Sequence, residues 1–139
     1  EAAFVRAPRE GACKDPAIAA LAAELRRLIE EHVDRHFGFE EDDLFPRLDA
    51  AGDGHLGELL HEEHVAILEV AAEIAPLASA AARGSIGDDG FLALRRGALE
   101  LVERLTAHIH KETMSLLPAL DDLLDENSDA ELTLAYASA

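Results

Sequence analysis

At 139 residues the chain is long enough for one domain whose core needs no disulfides. Its 29 acidic residues against 12 basic ones give a net charge of −17, a field that argues against nucleic acid and an anionic membrane surface as partners. The single cysteine, Cys13, rules out an intramolecular disulfide framework and a thiolate metal cage, and is compatible with a reducing cytoplasm. No apolar run approaches the roughly 20 residues of a membrane span, and no secretory leader is read.

Ala, Leu and Glu dominate, aromatic residues are 4% and β-branched runs of strand length are absent, so the expected class is all-α. Residues 1–14, interrupted by Pro8 and Gly11, read as a loose arm. Asp15-Pro16 reads as a helix start, with Asp as the cap and Pro in the first turn. From there Ile18, Leu21, Leu25, Leu28, His32, His36 and Glu40 share one helical face, running to about Leu48 before Gly52 and Gly54 break it. A second helix starts near Leu56, with the stripe Leu60, His64, Ile67, Ala71, Ile74 and Ala78. After a turn-rich stretch at 83–90, a third helix carries Phe91, Leu94, Ala98, Leu101, Leu105, His108 and Glu112 and passes Pro118. Residues 127–139 are expected to be a flexible tail. The fold expected over 15–126 is an antiparallel up-and-down helix bundle in which three long helices are readable.

One internal echo is the most informative feature. His36, Glu40, Leu44, Phe45, Pro46 and Leu48 match His108, Glu112, Leu116, Leu117, Pro118 and Leu120, each pair 72 positions apart. Residues four apart lie one helical turn above each other, so each copy stacks an imidazole on a carboxylate. A single HxxxE pair is more often a surface contact. Two copies on core-facing stripes are another matter, because a buried unpaired carboxylate is costly and a metal ion relieves that cost. His64, alone on its stripe, would ordinarily be a hydrogen-bonded core residue; with two ligand pairs aimed at its level it reads as a third ligand. Nitrogen and oxygen donors without sulfur suit iron, manganese or zinc, and two carboxylates able to bridge suit a dinuclear centre. The ferritin-like code of paired Glu-x-x-His motifs is matched only once, by Glu58 and His61.

These segments resemble the hemerythrin-like family with its HHE cation-binding motifs, over about residues 17–122. The resemblance implies a four-helix bundle holding two Fe ions, oxo- or hydroxo-bridged. It implies His36, His64 and His108 as terminal ligands, and Glu40 and Glu112 as bridges. The sequence departs from the family in having no His before His32 and in placing Leu68 four residues after His64. The missing ligands would come from a helix upstream of Glu1, from His32 or His61, or from a partner subunit. Three helices with exposed inner faces would leave an apolar patch that a homodimer could cover.

Three functions fit this reading. One is storage or sensing of dioxygen or a related diatomic or peroxide ligand; another is a di-iron enzyme acting on peroxide or nitric oxide; the last is a domain ordered by its metal for partner binding. No catalytic residue is assigned. Nothing in the sequence supports a Ser-His-Asp hydrolase, a phosphate-binding loop or CxxC redox chemistry.

Overall fold

A computed structural model of the chain describes residues 15–123 and 126–138, and within these it is all helical. The arm expected over 1–14 lies outside the described residues. Helix α1 covers residues 16–50, α2 covers Gly54–Ala82, α3 covers residues 88–123 and α4 covers Glu126–Ser138. The start of α1 follows its sequence: Pro16 is the first helical residue and Asp15 Oδ1 accepts from the amide of Ala17 at 3.0 Å.

Two reversals set the register of the three long helices. Gly52 (φ 92°) ends α1 and Gly84 (φ 69°) ends α2, each in the left-handed region that glycine enters without a Cβ penalty. At the first turn the amides of Gly52 and Asp53 donate to the carbonyls of Asp49 and Leu48. At the second, those of Gly84 and Ser85 donate to Ala81 and Ala80. Both are glycine-terminated caps that satisfy the last carbonyls of the helix and turn the chain back on itself.

The internal echo has a structural counterpart. Each copy opens into a π-helical turn starting at its glutamate, Glu40–Leu44 in α1 and Glu112–Leu116 in α3. The α-helical segment after each turn carries proline at its second position, Pro46 or Pro118. Proline lacks the amide hydrogen and its ring clashes with the carbonyl four residues back, so a wider turn lets the helix pass it unbroken. A third π turn, Ile29–Val33, carries no proline.

Helix α2 packs along both α1 and α3. One apolar layer joins Ile29, Val33 and Phe37 of α1 to Ile67 and Ile74 of α2 and Leu101 of α3. A second gathers Leu44, Phe45 and Leu48 with Leu60, Leu116 and Leu132. Between these layers lie Glu40 of α1, His64 of α2, and His108 and Glu112 of α3. By length and composition α2 is also apolar enough to cross a membrane, which the sequence reading did not expect. Its stripe from Leu60 to Ala78 is spent on the bundle core.

The tail expected to be flexible is helical instead. Leu132 anchors α4 in the second apolar layer, Arg47 pairs with Glu131 at 3.2 Å, and Arg35 Nη2 donates to the carbonyl of Tyr136 at 3.0 Å.

Helix α3 approaches α2 closely at Gly97, where a Cβ would overlap Cγ2 of Ile74, a buried and branched side chain with little room to yield. A Cβ at Gly38, also within a helix, meets nothing within 4 Å. Gly97→Ala should therefore destabilise the chain by about 1–3 kcal/mol through overpacking. Gly38→Ala should stabilise it by roughly 0.5–1 kcal/mol through helix propensity. Urea unfolding of the two variants checks the opposite signs, and equal shifts would refute the close approach.

Candidate metal centre

Helix α1 contributes Glu40 to the centre, α2 His64, and α3 His108 and Glu112. One donor atom from each of the four lies within 4.8 Å of all the others. Glu40, His64 and His108 are 2%, 1% and 2% exposed, and the Glu112 side chain is mostly covered. His64 Nε2 stands 2.9 Å from Glu40 Oε2 and 3.1 Å from His108 Nε2, which in turn is 3.0 Å from Glu112 Oε1. Donors bound to one ion at about 2.0–2.2 Å sit roughly 3 Å apart, so the spacing suits a shared cation.

The outer nitrogens of the two imidazoles are held by carboxylates. His64 Nδ1–H donates to Glu41 Oε1 at 2.7 Å, and His108 Nδ1–H donates to Glu63 Oε2 at 2.8 Å. Lys111 pairs with the other oxygen of Glu63. Ionised carboxylates only accept, so these contacts place the ring protons on Nδ1 and turn both Nε2 lone pairs inward. Aromatic rings hold His64 in place: Phe37 stacks on it at 3.8 Å and 9°, and Phe45 lies at 5.4 Å on a ring plane tilted by 26°.

With both imidazoles neutral, the cluster consists of four acceptors and has no fixed donor among the described residues. Glu40 Oε2 and Glu112 Oε1 are buried without a hydrogen bond, their contacts with the imidazoles being close but poorly aligned. Orphaned buried carboxylate oxygens are rare because desolvation goes uncompensated. A cation between them repairs all four groups at once.

The structure brings together four of the five main ligand candidates. His36 stands at the edge, its side chain 47% exposed, with Nε2 2.7 Å from Glu40 Oε1. Glu40 therefore turns one oxygen to the buried cluster and the other to His36. His61, an alternative ligand by sequence, lies outside the cluster, where its Nδ1 contacts both Glu41 oxygens at 2.9 Å. The side chain of His32, the other alternative, lies outside the described residues. Nothing in the sequence marks Glu41, Glu63 or Lys111 for these contacts, because no periodicity separates such residues from a solvated helix face.

Protonation follows the same crowding. For Glu40, burial disfavours the charged form but contacts with His36 and His64 outweigh it, holding its carboxyl well below the usual range. Burial and neighbouring Glu40 push Glu112 up. His108 is lowered by burial but raised on balance by Glu112 and Glu63, and His36 is raised by its contact with Glu40. Glu63 is lowered on balance, because Lys111 and His108 outweigh burial.

In metal-free protein the raised histidines add stability that is present below their unfolded value of 6.5 and is lost as pH climbs through the folded values. The lowered Glu40 and Glu63 add stability present above 4.5 and lost on acidification. The melting temperature of the metal-free chain should peak between those limits and fall towards pH 8.5. A steady rise from pH 6 to 8.5 in a chelated sample would contradict this site.

The hemerythrin HHE cation-binding domain model matches residues 3–120. No curated protein and no solved structure matches the chain. With its buried His/Glu cluster a candidate cation site, the chain is a metal-binding protein that belongs to the hemerythrin HHE cation-binding domain family.

Proposed function

We propose that the chain holds two iron ions and binds dioxygen or a related small ligand on them, as a storage or sensing protein. The convergence of four metal-ligating atoms, two of them buried carboxylate oxygens without a hydrogen bond, carries the reading. His64, His108, Glu40 and Glu112 would hold one ion, and His36 with the outward oxygen of Glu40 would hold a second. Charge favours the pair. Glu40, Glu41, Glu63 and Glu112 with Lys111 leave a formal −3 around neutral imidazoles, which one divalent ion does not neutralise.

Iron bound here would supply reversible one-electron chemistry towards small oxygen or nitrogen ligands. The chain's own groups hold and shield it. Glu41 and Glu63 orient the imidazoles and raise their basicity, as carboxylates behind metal-bound histidines do. Phe37 and Phe45 keep water from His64. A second reading, an enzyme acting on peroxide or nitric oxide, draws support from the small donor set, which leaves coordination positions open to a reactant.

Metal analysis of protein from unsupplemented growth tests the first reading and sorts iron from manganese or zinc. Two equivalents are expected in the parent chain, about one in His36→Ala, and near none in Glu40→Ala. Unchanged stoichiometry in Glu40→Ala would remove the site. A band that appears on aeration of the reduced protein and reverses on deoxygenation supports oxygen binding, whereas vigorous oxygen evolution from peroxide supports the enzyme.

A further inference from the structure

His36 is held differently from the other two histidines of the proposed centre. Carboxylates accept from Nδ1 of His64 and of His108, whereas among the described residues His36 has a polar contact only at Nε2, with Glu40. Its side chain is 47% exposed. In place of a carboxylate it has a ring beside it. Tyr136 of α4 lines the same cleft as His36 and meets its imidazole edge-on at 6.4 Å, within the range of aromatic pairs. Tyr136 is itself fixed, although 42% exposed. Arg35 stands over its ring at 5.2 Å and donates from Nη2 to its carbonyl at 3.0 Å, and Phe39 meets it edge-on at 5.1 Å. Arg35, His36 and Phe39 all stand in the stretch of α1 that leads into Glu40. Buried Leu132, and Glu131 paired with Arg47, tie down the preceding turn of α4, so the ring keeps its place without help from His36.

We propose that Tyr136 is a positioning residue for the second, outer ion, its ring holding the His36 imidazole beside the outward oxygen of Glu40. The proposal rests on the two-ion reading above. A ring packed against the imidazole restricts the rotamers open to His36, so metal binding has less ordering to supply. The contact is made by the ring, and the phenol hydroxyl is not needed. Arg35 contributes by holding that ring, through its charge over the face and through the carbonyl hydrogen bond.

Calorimetric titration of the full metal-free chain with Co²⁺ tests this. Two equivalents should bind, the outer ion more weakly because fewer protein groups hold it, and His36→Ala identifies the outer step by losing it. Tyr136→Ala should weaken the outer ion roughly three- to tenfold, the range an aromatic pair contributes, and leave the inner ion within about twofold of the parent. Tyr136→Phe should bind as the parent does, and so should Thr133→Ala, an exposed position on the same helix. Because the ring acts through His36, adding Tyr136→Ala to His36→Ala should change Co²⁺ binding no further. One equivalent or none in the parent would remove the two-ion reading and this assignment with it. Two equivalents in the parent, with outer affinity unaltered in Tyr136→Ala, would overturn the positioning role alone. Parallel losses at both steps would do the same, since they mark a ring that only stabilises the fold.

Discussion

Four electron-rich atoms pointed at one another in a dry space are the constraint to which the rest of the bundle answers. Left alone, Glu40, Glu112 and the inward lone pairs of His64 and His108 repel, and burial weakens the solvation that would relieve them. The surrounding chain intensifies this. Apolar layers seal the centre above and below, aromatic rings flank His64, and Glu41 and Glu63 fix the ring protons on the outer nitrogens. Each of these makes the empty site less comfortable and a cation more welcome. Buried ionic groups are weak evidence for stability, and here they are better read as a binding site maintained at some cost to the fold.

Helix geometry delivers the donors. The imidazole–carboxylate pairs need only the four-residue stack of an ordinary α-helix, but the proline that follows each pair would break one. Opening each helix into a π turn at the glutamate keeps the rod continuous and lets Leu44 and Leu116 re-enter the core directly beneath the site. Chemistry and packing thus share the same five residues in each copy.

The helical class, the three long helices and the echo of His36–Glu40 in His108–Glu112 were legible because each depends on periodicity or capping, which one sequence displays. His64 was legible only by coincidence of level with the two pairs. The widened turns were not, since a stripe written at steps of three and four looks the same whether or not a turn takes an extra residue. Helix α4 escaped for a different reason. Leu132, Leu134 and Tyr136 alternate at a step of two, so no helical face announces itself, and tertiary contacts from Arg35, Arg47 and the second apolar layer carry the helix. Glu41 and Glu63 were hidden among many acidic neighbours. Their roles arise from which helix stands opposite, and local pattern does not encode that.

The glycine reversal at Gly52 has a geometrical consequence for the family of sequences that could build this centre. Glu40 lies twelve positions before Gly52 and His64 twelve after it, so the two donors sit at matching heights of about 18 Å from the bend, at 1.5 Å per residue. The hairpin behaves like a folded ruler. Chain length between the bend and either donor is pinned to the residue, whereas extra length at the bend itself leaves both arms equal, so residues added at the hairpin's tip would disturb the centre least.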